Sequence, residues 1–188
     1  VRHIVGVNDM FDCVRLRVAP VKKMSPLAQS ASKVNVGDEL FVLSYGVKKS
    51  GKADAVKVLA VDSVYSLAYY TLDMPMTGAA LSRPLLNAKG ELVAVMQPAA
   101  SGDTVKSYAV STGFSASLVP STTNYGKGYY PGMGIRTSLP ESKEDALSCM
   151  YMQAMMGDSL SWISAINDFM EQYPQSFEGY QSFAEYAA

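Results

Sequence analysis

The 188-residue chain has 48% hydrophobic and 18% charged residues, a composition that is typical of a folded globular protein and excludes an intrinsically disordered chain. Its formal net charge of −1 gives no reason to expect a nucleic acid or an anionic membrane as a partner. No run of about 18 or more apolar residues is present, so no transmembrane helix is predicted. Because the chain begins with Val1 and not Met, we expect a processed protein or an excised fragment.

Short stretches rich in Val, Ile, Leu, Tyr and Phe alternate with Gly, Pro, Asn and Asp before residue 120, which is the pattern of strands and turns. The spacing of these stretches predicts an all-β barrel or sandwich. Gly90, in the stretch AKGE, is predicted at a tight turn with a positive φ. The predicted strands are 2–7, 13–18, 39–45, 54–61, 67–72, 85–86, 91–97 and 106–111.

The composition changes to Ser, Thr, Asn, Gly, Pro and Tyr over residues 121–140, which predicts a linker or a long ordered loop. Its tyrosines are Tyr125, Tyr129 and Tyr130. Their amphipathic rings suit either packing against a neighbouring domain or lining a groove for a peptide, so all three are candidate binding residues.

Helices are predicted after residue 140. The first has acidic residues in its first turn, which suit the positive end of the helix dipole, and it is broken by Gly157 and Asp158. Pro174 ends the second helix, and a third begins near Phe177. Apolar residues of the second helix recur at helical spacing: Trp162, Ile163, Ile166, Phe169 and Met170.

The two cysteines, Cys13 and Cys149, lie in contexts that look like different units. We therefore expect two buried free thiols and no disulfide framework. The sequence has neither a CxxC motif nor a Cys/His cluster, so no metal ligands and no cofactor are expected.

The helical part resembles a tetratricopeptide repeat. Gly157-Asp158 and the apolar residues that follow, up to Pro174, fall at the spacing of that family, and the match covers the second helix of one repeat better than the first. The resemblance implies a helix pair that packs against neighbouring helices, as the start of an array.

The β part resembles the second half of a trypsin-like protease of the bacterial Deg/Htr type. DMFDCVRLRV (9–18) is similar to the strand that carries the triad aspartate, which makes Asp12 the matching residue. VNVGDELFVLSYG (34–46) is similar to the opening of the second barrel, SRPLLNAKGELVAVMQ (82–97) to the segment after the nucleophile, and KSYAVST (106–112) to the closing strand.

The resemblance implies a lost catalytic site. In the family, the text Gly-x-Ser-Gly-x-Pro-Leu-Leu-Asn surrounds the nucleophile, and its Pro-Leu-Leu-Asn matches the segment from Pro84 onwards, which puts Leu81 at the nucleophile position. Leucine cannot attack a carbonyl, and the neighbouring Ser82 is the only fallback. His3 is the single histidine and is predicted as a strand-face residue, so Asp12 is a vestigial triad member or an anchor of a turn.

The predicted fold is α+β and multidomain, with a trypsin-like antiparallel β-barrel followed by a tetratricopeptide-like helical hairpin. The barrel domain covers 1–120, in which 1–18 are the last strands of a first barrel. A linker covers 121–140, and the helices that begin an array cover 141–188.

The predicted function is that of a catalytically inactive protease-like adaptor or scaffold that binds a protein or an extended peptide. The first alternative is an active serine endopeptidase with its histidine upstream of this chain and Ser82 as the nucleophile. The second is a purely structural assembly module. The family resemblance implies a bacterial periplasm or cell envelope as the location.

Overall fold

A computed structural model describes residues 3–20, 22–44, 52–75, 81–98, 105–125 and 135–188. The chain divides into two compact units. We call Lys22–Ser115 the barrel unit, and Val1–Val21 together with Ala116–Ala188 the helical unit. The elements in chain order are β1 (His3–Asn8), β2 (Cys13–Arg17), β3 (Glu39–Ser44), β4 (Lys52–Val64), β5 (Leu67–Leu72), β6 (Pro84–Leu86), β7 (Leu92–Gln97), β8 (Ser107–Ser111), a 3-10 helix (Thr112–Ser117), β9 (Arg136–Thr137), α1 (Lys143–Met156), α2 (Ser159–Gln172) and α3 (Phe177–Ala187).

The barrel unit is a closed antiparallel barrel of six strands in the order β3-β4-β5-β8-β7-β6, with β6 pairing back to β3. The long strand β4 pairs with β3 through its first half and with β5 through its second half. An irregularity between Val58 and Ala60 separates the two halves, and such a bulge lets one strand bend between two neighbours. The closed barrel leaves none of these six strands with a free edge.

Alternating apolar side chains fill the interior of the barrel, because successive residues of a strand point to opposite faces. In β3, Leu40 and Val42 are buried while Phe41 between them is only partly buried. The fully buried residues include Val42, Val58, Leu72, Leu85, Met96 and Val110.

Two tight turns of the barrel contain residues with positive φ, and they differ in which residues adopt that conformation. Between β4 and β5, Tyr65 and Ser66 both have positive φ values, 50° and 65°, which match the twist of the flanking strands. Between β6 and β7, Gly90 has a φ of 77°, as the sequence predicts. The carboxamide oxygen of Asn87 accepts hydrogen bonds from the backbone N–H groups of Lys89 and Glu91 and fixes this second turn.

The helical unit contains a three-stranded sheet in the order β2-β1-β9. Strand β1 pairs with β2 as an antiparallel hairpin and with the short β9 in parallel. The backbone N–H of Ser138 donates to the carbonyl of Ile4 at 2.7 Å and extends the contact beyond β9. Residues 3–8 and 136–138, which are far apart in sequence, therefore form one structural element.

The three helices pack in sequence, α1 against α2 and α2 against α3. Ser142 caps α1 by accepting from the N–H of Asp145, and Asp158 caps α2 by accepting from the N–H of Ser161. Gln172, at the end of α2, donates to the carbonyl of Pro140, just before α1 begins. The core of this unit contains Tyr125, Leu139, Ala146, Cys149, Met150, Ala165, Ile166 and Phe169.

Both cysteines are free thiols. Cys149 is buried, and burial raises the pKa of its thiol to about 11. Cys13 is only partly buried, and burial followed by the charge of Asp12 raises the pKa of its thiol. The expectation of two buried thiols thus holds for Cys149, whereas Cys13 keeps part of its surface in solvent because it lies on the outer strand β2.

The predicted α+β fold is confirmed: a closed antiparallel β-barrel is followed by helices. The sequence did not predict β9, which lies inside the proposed linker 121–140. The structure also groups Val1–Val21 with the helices, whereas the sequence placed 1–18 in the barrel domain. The domain bounds 1–120, 121–140 and 141–188 stay predictions.

Candidate functional site

The position that matches the protease nucleophile lies in a turn that precedes β6. Leu81 and Ser82 form this turn, and the side chain of Leu81 is 43% exposed. The backbone N–H of Ser82 donates to the carbonyl of Met96 at 3.1 Å, and the N–H of Met96 donates to the carbonyl of Arg83 at 2.9 Å. These two bonds attach the turn to β7. Residues 76–80, which precede the turn, lie outside the described residues.

Ser82 has an unusual backbone conformation for a residue with a side chain. Its φ is 59°, in the left-handed region that glycine adopts most readily. Its side chain is exposed to solvent. The turn therefore presents an aliphatic side chain and a hydroxyl side by side on the surface of the barrel unit.

Asp12 lies in the turn between β1 and β2, in the helical unit. Its side chain is exposed, and its φ of 47° is a conformation that aspartate tolerates in turns. The side chain of Asn8 closes the same turn by accepting from the N–H of Phe11 at 3.0 Å. Asp12 therefore lies in a turn, which is the location that its alternative role as a turn anchor requires.

His3 lies on β1 and contacts a buried carboxylate on α2. Its Nε2 atom is 3.6 Å from Oδ1 of Asp168, and the same oxygen accepts from the Arg136 guanidinium at 2.9 Å. The other oxygen, Oδ2, accepts from the hydroxyl of Tyr125 at 3.5 Å. Arg136 also donates to the hydroxyl of Ser164, one turn earlier on α2. We call His3, Tyr125, Arg136 and Asp168 the Asp168 cluster.

The electrostatics of the Asp168 cluster follow from burial. The Asp168 side chain is 7% exposed, and burial raises the pKa of this carboxyl above its ordinary value. Arg136 and His3 favour the ionised form and oppose that rise. Burial also raises the pKa of Tyr125, and the nearby Asp168 charge adds to this shift, so Tyr125 keeps its proton and acts as the donor.

The Asp168→Ala variant is expected to lower the free energy of unfolding by about 2–3 kcal/mol, because it leaves the buried Tyr125 hydroxyl without its acceptor. The contribution of Arg136 is smaller, since its side chain is 53% exposed and water replaces the lost partner. Urea denaturation followed by the fluorescence of Trp162, the single tryptophan, measures the loss. A loss below about 0.5 kcal/mol would contradict a structural role for the cluster.

The Asp168→Asn variant is the matched control because it keeps the shape and cannot ionise. A carboxyl whose folded pKa is raised contributes stability that is complete below its unfolded pKa of about 4 and is lost as the pH rises through the folded pKa. The wild-type chain is therefore expected to lose stability relative to Asp168→Asn as the pH rises above about 4. A relative gain over that range would contradict the raised pKa.

The sequence did not identify the Asp168 cluster. One signal was present: Asp168 interrupts the apolar stripe of α2, between Ala165 and Phe169. A charged residue on a buried helical face needs a partner, which is a reason to search for one. The partners themselves, on β1 and β9, were not predictable from local pattern.

Of the three candidate binding tyrosines, the structure describes only Tyr125. Tyr125 is 8% exposed and belongs to the core of the helical unit, which supports the packing role that the sequence offered beside the binding role. Tyr129 and Tyr130 lie outside the described residues.

A small cavity lies beside β1 in the helical unit. Its volume is about 60 Å³, and its lining includes Val5, Val7, Asn124, Thr137 and Ser138. The hydroxyl of Ser138 is buried and has no hydrogen-bond partner among the described residues. A cavity of this size with a free hydroxyl suits a few water molecules and is too small for a peptide side chain of ordinary size together with its backbone.

Apolar side chains are exposed where α1 ends and α2 begins. Residues one turn apart on a helix share a face, so the side chains at the end of α1 form one surface. Met155 and Met156 are 85% and 82% exposed, and Leu160 in the first turn of α2 is 76% exposed. We call this surface the hairpin-tip patch; its members are Tyr151, Met152, Met155, Met156 and Leu160.

Within the described ranges, no group of three or more His, Cys, Asp or Glu residues has the geometry of a metal site. Among the helices that the structure describes, none is long and apolar enough to cross a membrane.

No protein-family model matches the chain, and no curated protein matches it. Among solved structures, the chain is similar to the Rv3671c protease from M. tuberculosis in its active form, with 18% identity and a TM-score of 0.47 over 61% of this chain and 56% of that one. The inactive form of an Rv3671c mutant aligns with 18% identity and a TM-score of 0.46 over 61% of both chains.

The apo MamO protease domain from Magnetospirillum magneticum aligns with 18% identity and a TM-score of 0.48, over 62% of this chain and 66% of that one. The chain spans less than two thirds of the length of each of these structures. Both structures are of proteases.

Proposed function

We propose that this chain is a catalytically inactive protease-like barrel, joined to tetratricopeptide-like helices, that binds proteins or extended peptides as an adaptor or scaffold. The observation that carries the proposal is the turn before β6, in which the exposed side chain of Leu81 stands at the position that matches the nucleophile. An aliphatic side chain has neither a lone pair nor a proton with which to begin acyl transfer.

The backbone of Ser82 supports this alignment. The family has a glycine directly after its nucleophile, and Ser82 at the matching position has the positive φ of 59° that glycine adopts without strain. If Ser82 were the nucleophile instead, the turn would shift by one residue and its hydroxyl would take a different direction. The observed φ favours the register in which Leu81 replaces the nucleophile.

The contacts of His3 also support inactivity of this chain. A general base in a serine protease receives the proton of the nucleophile while a carboxylate orients its ring. The Nε2 atom of His3, the single histidine, faces Asp168 of the helical unit, which also binds Arg136. His3 therefore has the environment of a structural ion pair.

The hairpin-tip patch supports a binding role. Large apolar side chains that share one exposed face are typical of protein interaction surfaces. Methionine is flexible and polarisable and therefore adapts to partners of different shape. The exposed aromatic residues Phe177, Tyr180 and Phe183 of α3 give a second apolar face, as expected of helices in a tetratricopeptide-like array.

A fluorophosphonate probe tests the inactive state. We expect no labelling of the full-length protein and no cleavage of casein, with Ser82→Ala as the matched control. Labelling that disappears in Ser82→Ala would favour the alternative of an active endopeptidase.

A peptide library tests the binding role. We expect the immobilised full-length protein to enrich extended peptides, and we expect Met155→Gln with Met156→Gln to reduce capture by the helices without changing thermal stability. A protein that enriches no peptide would favour the alternative of a purely structural module.

A further inference from the structure

A short extended segment of the barrel unit, residues 28–30, lies along the start of β7, and we call it the strap. It forms a parallel bridge with Leu92, the first residue of β7. The backbone N–H of Leu92 donates to the carbonyl of Ala28 at 2.7 Å, and the N–H of Ser30 donates to the carbonyl of Leu92 at 2.8 Å. The pairing of β7 with β8 begins at Ala94. The strap therefore gives Leu92 the backbone partner that β8 does not provide.

The side chain of Ser30 is held by two polar groups at the turn between β6 and β7. Its hydroxyl oxygen accepts from the Asn87 carboxamide at 3.1 Å, and its hydroxyl hydrogen bonds to the Glu91 carboxylate. The Asn87 carboxamide also donates to the Glu91 carboxylate at 2.7 Å, and these hydrogen bonds lower the pKa of Glu91. Both the donor and the acceptor of the hydroxyl are thus used. The turn recognises a hydroxyl side chain at this position of the strap.

Hydrogen bonds hold the strap, and its side chains add little buried surface. Ser30 is partly buried, whereas every other residue of 22–33 is exposed. The barrel core begins after the strap, at Val34. The Gln29 carboxamide donates to the hydroxyl of Ser115 at 2.9 Å, and this bond is exposed to solvent. Because water replaces exposed hydrogen bonds at a small net cost, the strap can leave its place without opening the barrel core.

We propose that the strap is the internal occupant of a peptide-binding site, and that an extended peptide with a serine or threonine displaces it. The peptide would lie parallel to β7, bond to both backbone groups of Leu92 as the strap does, and place its hydroxyl between Asn87 and Glu91. In such strand addition the main-chain bonds give affinity and the side-chain site gives specificity. This inference deepens the proposed peptide-binding function and rests on it.

The strap would make the site autoinhibited. A peptide binds only to those molecules whose strap is released, so its apparent affinity is reduced by the released fraction. The strap is joined to the barrel by a few residues and competes at a high effective concentration. Removing the contacts of the strap should therefore raise the affinity for a free peptide.

The turn chemistry selects the peptide. An alanine in place of the serine would leave the Asn87 carboxamide and the Glu91 carboxylate without the partner that Ser30 supplies. An acidic side chain at this position would be repelled by Glu91. A proline would lack the N–H that donates to the carbonyl of Leu92.

The Ser30→Pro variant tests the autoinhibition, because it removes both the N–H and the hydroxyl of Ser30. The probe is a free peptide with the sequence of residues 25–33, SPLAQSASK. It is titrated into the isotope-labelled full-length protein while the NMR signal of the Leu92 amide is followed. We expect Ser30→Pro to bind the peptide roughly tenfold more tightly than the wild type does. Ser32→Ala, which removes a hydroxyl from an exposed residue of the same segment, should bind as the wild type does.

Three matched peptides test recognition at the position of Ser30. With the Ser30→Pro protein, we expect the threonine peptide to bind like the serine peptide, the alanine peptide to bind roughly tenfold more weakly, and the proline peptide not to bind.

Amide hydrogen exchange tests the location. The Leu92 amide should exchange faster in Ser30→Pro than in the wild type and should be protected again by the serine peptide. The Met96 amide, which donates to the carbonyl of Arg83, is the internal control and should not change.

The outcomes separate this inference from the proposed function. A Ser30→Pro protein that binds the serine peptide no better than the wild type would overturn the autoinhibitory strap. Equal binding of the serine, alanine and proline peptides would overturn the hydroxyl site. Wild-type dimers that Ser30→Pro dissociates would overturn it in favour of a strap exchanged between two copies. Peptides captured from the library that leave the Leu92 amide unchanged in both proteins would overturn this inference alone, with peptide binding intact.

Discussion

The Phe169→Ala variant is expected to lower the free energy of unfolding of the helical unit by about 3–5 kcal/mol. Phe169 is fully buried in the core beneath α2, and its ring lies 5.0 Å from that of Tyr173. Removing the ring eliminates the favourable free energy of burying its apolar surface, and it also leaves a cavity. Ile166 and Met150 are both fully buried and cannot fill this cavity unless the helices move. Urea denaturation followed by Trp162 fluorescence measures the change in this unit, because Trp162 lies on α2.

Phe177→Ala is the matched control for Phe169→Ala. The same atoms are removed from the same unit, but Phe177 is 73% exposed, so the expected change in the free energy of unfolding is within about 0.5 kcal/mol. Equal losses in the two variants would contradict the packing of α2 against α1 and α3.

The Gly6→Ala variant is expected to destabilise the helical unit by about 3 kcal/mol. A Cβ atom at residue 6 would lie 2.6 Å from the carbonyl carbon of Leu118 and 2.9 Å from the backbone nitrogen of Val119. These are backbone atoms, which cannot rotate away as a side chain does, so either β1 or the 118–119 segment must shift. Thermal unfolding followed by Trp162 fluorescence measures the loss.

Gly113→Ala is the corresponding control in the barrel unit. Its closest contact would be the Cδ2 atom of Leu67 at 3.3 Å, the end of a flexible side chain that can adjust. We expect a change of less than about 1 kcal/mol. A Gly6→Ala protein with wild-type stability would show that β1 does not approach the 118–119 segment as described.

The strands and helices were largely predictable from sequence, because each is bounded by residues with strong local preferences. Gly90 lies in the turn between β6 and β7, where a positive φ is required, and Asp158 caps the start of α2 with its side chain. Strand β9 was not predictable, because Arg136–Thr137 is too short to show any alternation. It exists because β1 provides the hydrogen-bonding partners.

Only the part of the candidate site that aligns with a family sequence motif was predictable from sequence. The Leu81–Ser82 turn followed from the residues after it, and its backbone conformation agrees with that alignment. The environment of His3 was not predictable, since its partner Asp168 is 165 residues away, the difference between 168 and 3. Pattern along the chain records which face of an element is apolar, and it does not record which distant element covers that face.

The helical unit is built from two segments that are far apart in sequence, Val1–Val21 and Ala116–Ala188, and this arrangement affects how the chain folds. Lys22–Ser115 is a continuous segment whose barrel contacts all lie within it, so it can fold as soon as it is complete. The sheet of β1, β2 and β9 must instead close a loop of more than a hundred residues, and such high contact order slows folding. We therefore expect the barrel unit to fold before β9 pairs with β1.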